Sequence, residues 1–81
     1  MHSETVNPLT LDEHRELGRE LNAMNARMRE LCQLVLAVYG PNNQASFTFA
    51  KTAESMERLC QDMQSQLAGD YPGYSVGKFY R

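Results

Sequence analysis

Residues 17–38 read LGRELNAMNARMRELCQLVLAV, and their main apolar side chains are spaced alternately four and three residues apart. This spacing returns a side chain to the same face of an α-helix, as in the seam of a coiled coil. The stretch therefore predicts one long helix with a continuous apolar seam. The seam residues are Leu17, Leu21, Met24, Met28, Leu31, Val35 and Val38.

The residues that flank this stretch predict where the helix begins and ends. Thr10 and Glu13 have the spacing of a capping box, in which each side chain accepts a hydrogen bond from the other residue's backbone amide. At the other end, Gly40 suits a left-handed C-cap, and Pro41 cannot continue a helix. The first helix is therefore predicted over about residues 11–39.

A second seam with the same spacing follows a short polar connection. Its members are Phe49, Ala53, Met56, Cys60, Met63 and Leu67. Asn43 and Ser46 are both suitable N-caps, and Gly69 is a suitable end, so the second helix is predicted over about residues 46–68. Because the connection is short, the two helices are expected to lie side by side and antiparallel. The predicted fold class is all-α, a long antiparallel helical hairpin in a single domain over residues 1–81.

Two helices alone leave part of each apolar stripe in water. For a chain of 81 residues with no visible disulfide or metal, burial barely offsets the entropy lost on folding, so a further contact is needed. We therefore expect a homodimer in which two hairpins form a four-helix bundle. The predicted self-association residues are Leu17, Leu21, Met24, Met28, Leu31, Val35, Phe49, Met56 and Met63.

The last twelve residues, 70–81, form a separate irregular tail that holds four of the seven aromatic residues. One interpretation is that the aromatic side chains fold back over the open flank of the hairpin. The other is that the tail protrudes and docks on a protein partner. The second interpretation makes partner-binding residues of Tyr71, Tyr74, Phe79 and Tyr80.

The charge balance argues against a polyanionic partner. Eight Lys and Arg against ten Asp and Glu give a net charge of −2, so no strong field attracts nucleic acid or anionic lipid. Arg15, Arg19 and Arg29 share one stripe, which keeps a nucleic-acid-associated protein as an alternative, although neighbouring acidic residues offset that stripe. The sequence contains no membrane-spanning stretch and no signal-peptide pattern, so we expect a cytoplasmic protein.

Residues suited to chemistry are sparse. Cys32 and Cys60 are too few for a disulfide framework, and the antiparallel register places them too far apart to pair with each other. His14 continues the first seam and is expected to be a packing residue, with a pH-sensitive interface as the alternative. No metal-ligand spacing occurs, so we predict no metal or cofactor and no enzymatic activity. A small helical-bundle enzyme is the least favoured alternative.

These observations favour a self-associating helical protein that acts as a protein–protein interaction module. An adaptor, a chaperone or a regulatory subunit would fit this description. Helical bundles serve unrelated functions, so the fold alone does not choose among them.

Overall fold

The computed structural model describes residues 7–73 and 77–81, which form two helices packed against each other. Helix α1 spans Leu11–Tyr39 and helix α2 spans Gln44–Asp70. The all-helical hairpin is therefore confirmed, and the described residues contain no strand. Helix α2 begins before and ends beyond the predicted bounds of about 46–68.

The start of α1 has the predicted capping box. The Thr10 hydroxyl accepts a hydrogen bond from the Glu13 amide at 3.0 Å, and the Thr10 amide donates to the Glu13 carboxylate at 2.9 Å. These bonds satisfy two amides at the helix N-terminus that have no partner within the helix.

The turn between the helices is fixed by a glycine and an asparagine. Gly40 has φ 85° and ψ 167°, and its amide donates to the Leu36 carbonyl. The side chain of Asn43 accepts from the amides of Ala45 and Ser46, so Asn43 is the N-cap of α2. The sequence had left open which of the two candidates would cap this helix.

The stripe of α1 that faces the interior differs from the predicted seam. Met24 and Val38 were predicted in the seam, but they are 51% and 65% exposed. Compared with the predicted seam, the buried stripe of α1 lies closer to residues 79–81. The reason is that α1 packs against this segment as well as against α2. The buried residues of α1 are His14, Gly18, Leu21 and Asn25.

The buried core lies in the half of the hairpin that holds the chain ends. Its central cluster consists of Leu21, Cys60, Leu67 and Tyr80. The opposite half, which holds the turn, is thinly packed: Leu31, Val35 and Phe49 are only half-buried there. The hairpin therefore has one well-packed end and one open end.

We call residues 31–50 the turn end. This segment contains no Asp, Glu, Lys, Arg or His. Several large apolar side chains of the turn end are exposed, namely Leu34, Leu36, Val38, Tyr39 and Phe47. Even so, neither helix in the described part of the chain is long and apolar enough to cross a membrane. Cytoplasmic localisation stays a prediction.

Candidate functional site

The C-terminal residues 77–81 lie against both helices near the chain ends. Side chains from α1 and α2 hold the backbone of this segment, and the side chain of Tyr80 is buried beneath it. We call this site the tail slot. It is defined by His14, Gly18, Asn22, Gln64 and Asp70.

From α2, the carboxamide of Gln64 binds the segment through three hydrogen bonds. Its Nε2 donates to the Gly77 carbonyl at 3.0 Å. Its Oε1 accepts from the amides of Phe79 and Tyr80 at 3.2 and 3.1 Å. A carboxamide carries both donors and acceptors, so one side chain satisfies an amide and a carbonyl group of an extended backbone.

From α1, Asn22 binds the same segment from the other side. Its Nδ2 donates to the Phe79 carbonyl and its Oδ1 accepts from the Arg81 amide, both at 2.9 Å. Gly18 lets the backbone approach: a Cβ there would lie 2.5 Å from the Phe79 carbonyl oxygen. Glycine inside a helix costs about 1 kcal/mol relative to alanine, and this close approach explains its presence.

The side chain of Tyr80 is 2% exposed and packs against Leu67 and Cys60. Its hydroxyl lies 2.8 Å from Nδ1 of His14, whose Nε2 lies 3.2 Å from the Asp70 carboxylate. Burial, reinforced by that carboxylate, raises the pKa of the Tyr80 phenol. The hydroxyl can donate to Nδ1 of His14, and Nε2 of the same ring can donate to the Asp70 carboxylate.

A histidine paired with a carboxylate can serve as an acid or a base, but His14 has no exposed surface. No substrate can reach the imidazole while Tyr80 lies above it. In this arrangement the His14–Asp70 pair closes the end of the Tyr80 pocket. Among the described residues, no group of three or more histidine, cysteine and acidic side chains is placed to hold a metal ion.

The three arginines of the predicted stripe divide between two places. Arg15 lies over the Phe79 ring, 5.0 Å from its centroid, and Arg19 lines the same groove beside the tail. Arg29 lies farther along α1 and pairs across the hairpin with Glu57 at 3.7 Å. The predicted stripe is therefore divided between the groove beside the tail and the ion pair with Glu57.

Acidic residues on the same helix offset the two arginines beside the tail. Arg15 pairs with Asp12 at 2.8 Å, and Arg19 is hydrogen bonded to Glu16. The bond to Arg19 lowers the pKa of the Glu16 carboxyl. All four side chains are more than half exposed, so these pairs contribute little to stability.

The predicted self-association residues are spread over both halves of the hairpin. Leu31, Val35 and Phe49 belong to the turn end, and Met28 and Phe49 line a shallow apolar groove of about 440 Å³. Leu21 is 8% exposed and therefore lies inside the hairpin itself. Leu17 and Met63 pack against the core cluster at the chain ends, whereas Met24 is exposed and Met56 is half-buried.

Three of the four predicted partner-binding aromatics lie against the hairpin. The Tyr71 hydroxyl donates to the Leu9 carbonyl at 2.6 Å, and its ring meets His14 edge-on. Phe79 is half-buried and Tyr80 is buried, while Tyr74 lies outside the described residues. In this structure Tyr80 is thus not available to an external partner.

Both cysteines are free thiols. Cys32 is half-buried, whereas Cys60 is 1% exposed, and burial raises the pKa of its thiol. A raised pKa reduces the thiolate fraction, which is the reactive form. Cys60 therefore acts as a small apolar residue beside Tyr80.

Sequence reasoning missed most of the tail slot. Asn22 and Gln64 lie outside both predicted seams, and polar residues in such positions are usually exposed to solvent. The signal available was Gly18, because a glycine in the middle of a long helix needs a packing reason.

Comparisons with known proteins give no further guidance. No family model, no curated protein and no solved structure matches the chain. The function is therefore argued from the geometry of the tail slot and the turn end.

Proposed function

We propose that the chain is a protein–protein interaction module that self-associates through its turn end. The observation that carries this proposal is that residues 31–50 expose large apolar side chains and contain no charged residue. Leu34, Val38 and Phe47 are 59%, 65% and 56% exposed there. Interface cores are depleted of charged residues, and large exposed apolar patches mark interaction sites.

A second copy of the chain is the occupant that best fits this surface. A two-fold dimer places the same patch of both subunits in contact, so the patch must be complementary to itself. An uncharged apolar surface meets this condition because it brings no like charges together. Overlap of two turn ends would place four helices side by side, which is the predicted four-helix bundle over that half.

Light scattering after gel filtration, with reductant present, tests the proposal. The full chain should have about twice its 9.2 kDa mass. Leu34→Glu should give the monomer mass, because it places a carboxylate in the contact while Leu34 touches little within its own hairpin. Met24→Glu is the matched control: it adds the same charge to an exposed apolar position of α1 outside the turn end, and it should stay dimeric.

Circular dichroism of each variant must show that the helices are retained. A monomeric wild-type chain at all concentrations would contradict the proposal. A dimer broken by Met24→Glu and kept by Leu34→Glu would also contradict it, because the contact would then lie away from the turn end.

A further inference from the structure

We propose that the tail slot is a peptide-binding site, which residues 77–81 of the chain itself occupy. The slot would take, in competition with this segment, an extended partner peptide that carries an aromatic residue followed by tyrosine. The slot lies at the chain ends and the dimer contact at the turn end, so this inference does not depend on the proposed function.

The contacts to the backbone of residues 77–81 would also bind a peptide that is not covalently joined to α2. Asn22 and Gln64 together make five hydrogen bonds to the backbone of the segment. These bonds involve amide and carbonyl groups alone, so they are available to a segment of another chain. In peptide recognition, such main-chain bonds provide affinity, and side-chain pockets provide specificity.

The pockets select two neighbouring side chains. The first position places an aromatic ring beneath the Arg15 guanidinium, at 5.0 Å for Phe79, where a cation–π contact favours it. The second position buries a phenol whose hydroxyl meets His14 at 2.8 Å. The flanking Lys78 and Arg81 are exposed, so other residues fit there.

The connection to α2 makes the tail an autoinhibitory ligand. Only residues 71–76 separate α2 from the docked segment. A short tether keeps the local concentration of the segment high, on the order of millimolar. A free peptide therefore enters the slot only when the chain's own segment is weakened or when the peptide binds more tightly.

A labelled peptide of sequence Gly-Lys-Phe-Tyr-Arg, added to the full chain with Tyr80→Ala, tests this inference. Tyr80→Ala removes the side chain that fills the pocket, so the peptide should bind and raise its fluorescence anisotropy to saturation. The wild-type chain should need a peptide concentration higher by on the order of tenfold to a hundredfold, because its own segment competes. A peptide with alanine in place of tyrosine should not bind either chain.

Adding Gly18→Ala to the Tyr80→Ala chain is the matched control. The new Cβ would lie 2.5 Å from the Phe79 carbonyl oxygen. It should therefore also hinder a peptide whose phenylalanine takes the same position. Alanine favours the helix at this position, so α1 should remain folded. Peptide binding should fall by about tenfold or more in this double variant, in keeping with the loss of close backbone contact.

Absence of peptide binding to a Tyr80→Ala chain with wild-type circular dichroism would overturn the proposal, as would equal binding of the alanine peptide. If Tyr80→Ala unfolds, Tyr80→Phe takes its place, since it keeps the ring and loses only the hydroxyl. This variant should bind the peptide more tightly than the wild-type chain does, and affinity no higher than wild type would count against the slot. Leu34→Glu added to the Tyr80→Ala chain should leave peptide binding unchanged, which separates this result from the dimer proposal.

Discussion

His14 shows how a polar side chain is accommodated in the core of this small protein. Its imidazole has no exposed surface, yet both ring nitrogens lie within hydrogen-bond distance of Tyr80 and Asp70. A buried polar atom without a partner costs about 1–3 kcal/mol. The tail therefore stabilises the hairpin twice, by covering the core and by satisfying this histidine.

The phenol of Tyr80 should make tail docking sensitive to alkaline pH. Its pKa in the folded chain is raised above 10.0, the ordinary value of the phenol in an unfolded chain. The folded state thus binds this proton more tightly, so the contribution is fully present below that pH and is lost as pH rises through the folded value. A phenolate could no longer donate to His14 and would be repelled by Asp70.

Ultraviolet difference absorbance of the phenolate checks this expectation. The chain has four tyrosines, and Tyr80 should ionise above the ordinary phenol value of 10.0. Tyr80→Phe should remove that late transition and leave the others in place. Loss of an early transition instead would show that Tyr80 is hydrated and not docked.

The burial of individual side chains was the feature that the sequence predicted least completely. Apolar periodicity assigned Met24 to the interior, whereas the structure places Asn25 there at 4% exposure. The periodic pattern reports which residues are apolar, but it does not report what covers the other flank of the helix. The contacts of Asn22 with Phe79 and Arg81 join positions 57 and 59 residues apart, so no local pattern reveals them.

The predicted and observed helix ends agree more closely, because caps and turns depend on neighbouring residues. The Thr10 capping box, the end of α1 at Tyr39 and the antiparallel hairpin follow from local chemistry, and the structure has all three. The start of α2 was harder to place because two candidate caps lie only three residues apart in the sequence. The Asn43 side chain settles the choice by bonding two amides.

Two glycines allow the connection between the helices and the last turn of α2 to be compared. Gly40 has φ 85°, in a region that other residues rarely adopt, while Gly69 is helical; a Cβ at either position meets nothing within 4 Å. Gly40→Ala should therefore lower the free energy of unfolding by about 1–3 kcal/mol through backbone strain alone. Gly69→Ala should raise it by up to about 1 kcal/mol, since alanine favours the helix.

Urea denaturation of both variants at one chain concentration measures these effects. A fixed concentration is needed because the proposed self-association would make the midpoint depend on concentration. If both variants change the free energy of unfolding equally and in the same direction, the prediction is wrong. The backbone at residue 40 would then adopt a conformation that alanine tolerates without strain.

Across the whole molecule, the two ends of the hairpin differ in how the apolar flanks of the helices are covered. Two helices cannot bury both of their flanks. At the chain ends, residues 77–81 cover one flank and complete the core around Tyr80. At the turn end no described segment performs this role, and large apolar side chains remain exposed. The chain thus supplies its own cover at one end and, by our proposal, a second copy at the other.

The thiol of Cys60 reports whether the closed end opens. It is 1% exposed and shares a cluster with Tyr80, and burial raises its pKa. In a Cys32→Ser background Cys60 is the sole thiol, so its reaction with a disulfide reagent measures access to the core. Deleting residues 77–81 should accelerate the reaction by on the order of tenfold or more, because the thiol gains both solvent contact and thiolate character.

Leu34→Glu in the same Cys32→Ser background is the control, since it changes the open end and leaves the tail in place. Its Cys60 rate should equal that of the parent chain. Suppose instead that Leu34→Glu accelerates the reaction as much as the deletion does. The two ends would then open together, and the tail slot could not exchange its segment for a partner peptide without loss of the proposed dimer contact.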